Sequence, residues 1–425
     1  MSQLFRCNER VYSRRQTLAA WLSMFFLGAF AMQATAQEPQ ISTEDQQRIN
    51  RLVEAVLDCQ LSDGAIPVVG YRFEGQPVLI DPYFSNLALL GVLAAHQQNP
   101  DPRIERCVAR WLQWCVANQN ADGTYSRVEG TLSAETRSVA NSQSRAPDSH
   151  DAYAGTFLAV VASAFSAQSH PPSPEVLLAC RQSFQVIERC RDPENEFYWN
   201  FEPQQVPAGA VLAQYLLDNL EVHQGLLAAQ KIFSAANDVE LATQAQDRAA
   251  ALAISFHKFY HPEHKYFGCM YGDVVTNVPW GKQIATSERL ATVSALAFLE
   301  NIDPETGGNL WNKLMQNHGK ALIASFSTRK FIDEDPTVER VYFASLRAAS
   351  EPEKKRLLGM VRNRSDQLLK IEKQLELPGQ QSQPFPYVHR YGMLAQSLLA
   401  NSGKLPNELP KVPLNSALWG EHIRE

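Results

Sequence analysis

Four acidic residues stand in two pairs of matching spacing, Asp148 with Asp151 and Asp218 with Glu221. Residues three apart in the first turn of a helix face the same way, so two such pairs on neighbouring helices can address one cavity. Carboxyl groups gathered like this acquire unequal proton affinities, because burial and like charge raise some above the ordinary carboxylate range. One stays protonated near neutral pH and serves as general acid while another stays ionised. Asp151 is the expected acid, with Asp148 or Asp218 as its partner and Glu221 completing the group. The same residues also fit a plainer role. Asp is a leading helix N-cap, accepting backbone N–H bonds and complementing the helix dipole, which accounts for Asp148 and Asp218 without chemistry. Asp151 and Glu221 then read as first-turn acids.

Aromatic residues form a second constellation. Tyr83, Tyr125, Tyr153, Trp199, Tyr271, Trp280 and Tyr391 fall at expected helix starts or in the loops that lead into them, where flat apolar rings can carry a ligand's apolar face. Trp111 and Trp114 instead lie inside a periodic apolar stripe and read as core. Asp122, within Asn120-Ala121-Asp122-Gly123-Thr124-Tyr125, reads first as a turn residue and second as a side chain sent into the site. In His389-Arg390-Tyr391 the arginine fork suits a ligand carboxylate, and a salt bridge to a nearby Asp suits it equally. No CxxC spacing, clustered Cys/His set, phosphate-cradling Gly-rich loop, nucleophile elbow or HExxH helix occurs, so neither a metal site nor a cofactor is expected.

Helices must position these residues. Ile104, Cys107, Val108, Trp111, Leu112 and Cys115 recur at three- and four-residue steps and mark an amphipathic helix over 101–118. Comparable stretches at about 44–60, 83–97, 150–168, 173–191, 208–235, 238–258, 284–301, 307–325, 336–349, 352–372 and 387–401 bring the expected number to about twelve. Strand signals are few, with Pro67–Val69 and Val78–Ile80 reading as a short hairpin around Glu74-Gly75. Alternate helices open at Asp81, Asp148, Asp218 and Ser287-Glu288, at intervals of 67, 70 and about 69 residues, and His389 opens the last. Such a repeat of helix pairs predicts an all-α (α/α)6 toroid, its inner helices parallel and apolar all round, its outer helices returning between them. Inner-helix starts then converge on one mouth, fed by the long loops 119–147 and 259–283.

The stretch Pro147-Asp148-Ser149-His150-Asp151-Ala152-Tyr153-Ala154-Gly155-Thr156-Phe157-Leu158, followed by Asp218-Asn219-Leu220-Glu221-Val222-His223-Gln224-Gly225-Leu226, resembles the six-hairpin glycosidase-like superfamily of (α/α)6 toroids, and its uncharacterised exported members most of all. The resemblance implies a polysaccharide or oligosaccharide ligand, paired Asp/Glu catalysts and aromatic sugar platforms. Glycosidic cleavage needs two carboxyl groups, about 5–5.5 Å apart for retention or roughly 6.5–9.5 Å for inversion. On that footing the catalytic candidates are Asp151, Asp148, Asp218 and Glu221, and the sugar-binding candidates are Tyr83, Asp122, Tyr125, Tyr153, Trp280, His389, Arg390 and Tyr391. A glycoside hydrolase is the leading expectation. A polysaccharide lyase, with Tyr153 or Tyr391 as base and His389 or Arg390 neutralising a uronate, and a non-catalytic glycan-binding or assembly protein are the alternatives. Gln119–Tyr125 is faintly similar to the repeats of terpenoid cyclases, but the repeat is not periodic and the cyclases' adjacent aspartates are missing.

Composition bounds the rest. The 425 residues are 45% hydrophobic and 20% charged, enough for a large core. Arg14 and Arg15, the apolar run Leu18–Met32 and Ala34-Thr35-Ala36 predict a signal peptide cleaved after residue 36, and Ser13-Arg14-Arg15-Gln16-Thr17-Leu18 resembles a twin-arginine signal. The expected product, a single toroid domain over 37–425, is periplasmic or secreted, and no later run is long enough to span a bilayer. It carries 35 basic against 44 acidic groups, net −9, with no cationic field suited to nucleic acid. Its six cysteines are an even number in an oxidising compartment, so disulfides are open to them, but not between Cys107 and Cys115 or Cys180 and Cys190, which are spaced along single helices.

Overall fold

The computed structural model describes residues 41–69, 75–133, 135–166, 172–261, 266–272, 351–375 and 387–400, with a few positions between 295 and 316. All belong to the unit Ile41–Glu425. The expected signal peptide, the helix expected at 336–349, all but a few positions of those expected at 284–301 and 307–325, and Trp280 lie outside the described residues.

Nine α-helices are described: α1 (Thr43–Cys59), α2 (Pro82–Gln98), α3 (Pro102–Asn118), α4 (Asp151–Ser166), α5 (Pro174–Cys190), α6 (Leu216–Ala235), α7 (Val239–Ser255), α8 (Glu351–Leu375) and α9 (Val388–Ala400). Side-chain caps set several starts. Ser42, Asp81, Asp101, Ser173 and Asp238 each accept a backbone N–H from the first turn that follows, satisfying donors with no partner inside the helix. Proline at the first position of α2, α3 and α5 fixes the backbone where its missing N–H costs nothing.

Two layers follow from the apolar patterning. In α3 the buried residues are Ile104, Cys107, Val108, Trp111, Leu112, Trp114 and Cys115, one stripe of an outer helix. In α2, α4 and α9, by contrast, nearly every residue is buried, as expected of helices enclosed by others. These inner helices pack in the order α9, α2, α4, α6, while α1, α3, α5, α7 and α8 lie against them from outside. The arrangement is that of an (α/α)6 toroid.

Glycine lets the inner helices touch. Gly155 of α4 faces Gly225 of α6, and a Cβ added at Gly225 would stand 2.5 Å from Gly155 Cα; Gly91 and Gly392 meet in the same manner between α2 and α9. Gly225→Ala is therefore expected to force two packed helices apart and lower stability by about 1–3 kcal/mol, read as a lower urea midpoint at unchanged slope.

The 119–147 segment is more ordered than its loop-like composition suggests. Strand β2 (Arg127–Ser133) pairs antiparallel with β3 (Ser138–Arg145) and on its other edge with β1 (Pro77–Ile80), Val78 opposite Gly130. The hairpin expected between 67–69 and 78–80 is thus corrected: Val68 donates one backbone bond to Leu79 O, but the strand partner of β1 comes from β2. A two-residue ribbon, β4 (Tyr260–His261) with β5 (Tyr266–Phe267), follows α7.

Candidate active site at the starts of the inner helices

The first turns of α2, α4, α6 and α9 meet. Tyr83, in the first turn of α2, donates its hydroxyl to Glu221 Oε1 of α6 at 2.8 Å. Its ring lies 5.8 Å from that of Tyr153 on α4, at 23°. Phe84, next along α2, stacks on His389 of α9 at 4.7 Å. Parallel helices in register are what bring residues so distant in sequence into contact.

Asp151 is the first residue of α4 and has no exposed surface. Its Oδ1 accepts the Ala152 N–H at 2.8 Å, and its Oδ2 has no hydrogen-bond partner among the described residues. Burial, then the charge of Asp218, then that of Glu221 push its carboxyl well above the usual carboxylate range, against the pull of the backbone N–H bond. Asp218 is half-buried and Glu221 is 5% exposed. Three of the four expected acids therefore sit within electrostatic reach of one another.

Asp148 does not join them. Helix α4 begins at residue 151, so Asp148 precedes the first turn and cannot share a face with Asp151; its carboxylate, 63% exposed, pairs with Arg127 Nη2 at 2.7 Å. Neither is Asp218 a cap, since α6 begins after Tyr215, which makes no side-chain cap bond.

A second buried carboxyl, Asp81, stands beside this group. Its Oδ1 caps α2 at the Tyr83 N–H, 3.1 Å, and its Oδ2 accepts from Arg127 Nε at 2.8 Å. Tyr153 donates its hydroxyl to Asp81 and accepts from Arg127 Nε at 3.1 Å. Burial nevertheless raises the Asp81 carboxyl above its ordinary range, the bonds from Tyr153 and Arg127 offsetting only part of that cost. Burial and the neighbouring Asp81 likewise push the Tyr153 phenol well up.

The other expected ligand contacts divide. Tyr125 is only 2% exposed, its ring 5.3 Å from Phe157; it belongs to the core, because the Gln119–Tyr125 bridge folds it inward. Asp122 is an exposed turn residue whose Oδ1 accepts Thr124 N–H and O–H at 3.0 and 2.7 Å. Burial pushes the Asp122 carboxyl up, and these two bonds outweigh it and hold it low. His389, Arg390 and Tyr391 are all buried, Arg390 lying 5.6 Å over the Tyr387 ring, so they form the wall and not an open platform. Tyr271 is exposed but leans on Phe197, and Trp199 is half-buried. Trp111 and Trp114 are core, stacked at 5.1 Å.

Sequence reasoning passed over Asp81, Arg127 and Asn219 as members of the site. Asn219, wholly buried, accepts the Tyr198 N–H at 2.8 Å and donates to Tyr198 O and Tyr215 O at 3.0 and 2.8 Å, fastening the loop before α6 beside Asp218. Its signal is an amide in the first turn between Asp218 and Leu220, where local backbone bonds satisfy it. Among the described residues no three His, Cys, Asp or Glu side chains are placed to hold a metal ion, and none of the six cysteines forms a disulfide. Tyr83→Phe keeps the stacking on Tyr153 while removing the donor to Glu221; it is expected to cost about 1.5–3 kcal/mol in chemical denaturation, the range for a bond to a charged group.

No family model and no curated protein matches the chain. Solved structures do. Cellobiose 2-epimerase from Spirochaeta thermophila DSM 6192 is similar at TM-score 0.50 and 12% identity, covering 84% of this chain and 97% of that one. A D-mannose isomerase aligns at TM-score 0.48 and 12% identity over 84% and 98% of the two chains. The α-1,6-mannanase GH76A of Salegentibacter sp. HEL1_6, in complex with α-1,6-mannotetrose, aligns at TM-score 0.46 and 9% identity over 85% and 99%.

Proposed function

We propose that this chain, whose fold is that of the six-hairpin glycosidase-like superfamily, is an exported glycoside hydrolase that cleaves a polysaccharide with carboxyl groups at the starts of its inner helices. One observation carries the reading. Asp151 is buried with an unbonded Oδ2 beside Asp218 and Glu221, so a carboxyl that holds its proton well above the usual carboxylate range lies next to groups able to act as its partner. On this reading the start of α4 opens as the sugar binds, and Asp151, which has no exposed surface in the free chain, then protonates the glycosidic oxygen as the bond to the anomeric carbon breaks. Asp218, half-open to solvent, either draws a proton from the attacking water or adds to the anomeric carbon itself, as the carboxyl separation in the substrate complex dictates. Tyr83, half-buried, offers its ring to the sugar's C–H face and is backed by the buried ring of Tyr153. Export is supported by the basic and apolar character of residues 1–36.

Lyase chemistry on the same site is less well supported, because of the two phenols it could use Tyr153 already donates its hydroxyl to Asp81 and is pushed away from the range of a useful base, and Tyr391 is buried. A panel of neutral and anionic polysaccharides tests the choice. New reducing ends without the ultraviolet absorbance of unsaturated uronides are expected. That absorbance would mean elimination, and no product from any polymer would remove the catalytic reading.

A further inference from the structure

We propose that Arg127 is a seat for the carboxylate of an acidic sugar, and that Asp148 of the same chain occupies that seat in the structure; the inference rests on reading the inner-helix mouth as a sugar site. Arg127 opens β2 and reaches across to the starts of two inner helices. Its Nε is anchored, donating to Asp81 Oδ2 at 2.8 Å and Tyr153 Oη at 3.1 Å, both on buried residues. Its Nη2 meets Asp148 Oδ2 at 2.7 Å. The two carboxylate partners differ sharply: the Asp81 side chain is 1% exposed, that of Asp148 63%. The guanidinium is thus built into the fold at Nε and carries an exchangeable carboxylate at Nη2 near the surface.

This asymmetry is what a receptor for an anion needs. Anchoring at Nε has already removed the freedom of a long flexible side chain, so a bound carboxylate does not have to order it again. An exposed ion pair such as Arg127–Asp148 is held by no more than about a fivefold preference, and an incoming carboxylate can replace it. A planar fork also favours carboxylate over any neutral sugar group. The seat adjoins the expected chemistry: Arg127 bonds Tyr153, whose ring stacks on Tyr83, which donates to Glu221. Arg390, the arginine that the sequence offered for this role, is 5% exposed and lies against Tyr387.

Direct binding, with no turnover required, tests the seat independently of hydrolysis. Isothermal titration of D-glucuronate, D-glucose and acetate is to be compared between the wild-type chain, Asp148→Ala, and Asp148→Ala combined with Arg127→Lys. Emptying the seat is expected to tighten glucuronate by up to about fivefold, to leave glucose unchanged, and to leave acetate much weaker than glucuronate. Arg127→Lys, which keeps the charge on Asp81 but not the fork, is expected to cancel the gain. Glucuronate binding that is absent throughout or unchanged by Asp148→Ala, glucose moving in step with it, acetate matching it, or a gain that survives Arg127→Lys would each overturn the inference. Failure of the hydrolase reading would appear separately, as absence of product with the binding pattern intact.

Discussion

Asp151→Asn is expected to abolish turnover and, in the same molecule, to raise stability at neutral pH. The two effects share one cause. Burial and the charges of Asp218 and Glu221 make the folded chain hold the Asp151 proton more tightly than the unfolded chain does, starting from an ordinary value of 3.8. A carboxyl raised in this way favours the fold while protonated and loses that contribution as pH climbs from about 4 toward the folded value. Asparagine keeps the size and cannot ionise. The stability advantage of the variant, followed by chemical denaturation, is therefore expected to be small at pH 4 and to grow toward pH 8, by at most about 1.4 kcal/mol per pH unit. Activity moves the other way, because a general acid contributes about 10²–10⁴-fold and the amide has no proton of suitable acidity to give. In the wild type, kcat should decline on the alkaline side as Asp151 loses its proton. A variant that stays active, or a stability offset that does not change with pH, would show that Asp151 is a buried structural residue.

How far the sequence carried is visible in particular residues. The helical layers were legible because burial imposes a period: the Ile104 to Cys115 stripe marks an outer helix, and the small and apolar run from Ala152 to Ala164 marks an inner one. The start of α6 was less so. The stretch from 208 has helical composition, yet the chain stays irregular to Tyr215 because Asn200 ties it down, exchanging bonds with Ala213 through both backbone and side chain. Strand β2 hid in polar residues: Arg127, Glu129 and Thr131 alternate with Val128 and Leu132, but Gly130 and a bulge break a pattern already short. At the site, local spacing served Asp218 and Glu221, which lie on one helix, and failed for Asp148, which precedes the helix that begins at Asp151 and pairs with Arg127 instead. Arg127 and Asp81, 46 residues apart, meet only through the packing of a strand on a helix start, which no local pattern records.

Substitutions at Asp218 and Glu221 should separate two carboxylates that spacing alone makes equivalent. Asp218 is half-buried, whereas Glu221 is 5% exposed and receives the Tyr83 hydroxyl. The more open group is the one a water molecule or an anomeric carbon can reach, so Asp218→Ala is expected to lower kcat about 10²–10⁴-fold. The space left by the side chain admits a small anion, and added azide should restore part of the rate through a glycosyl azide or a direct displacement, identified by mass spectrometry. Glu221→Gln retains an oxygen to accept from Tyr83 and loses only the charge. Its expected effect is about tenfold, with no response to azide, and it carries a second signature. The Glu221 charge is one of the influences that hold the Asp151 proton, so its removal lets that proton leave at lower pH, and the alkaline limb of the kcat profile moves downward. Azide rescue of a Glu221 variant in place of the Asp218 one would exchange the two roles. Full activity in both single variants would mean that the crowding of carboxyl groups at these helix starts serves the fold alone, through the dipole and the packing, and that catalysis is not their purpose.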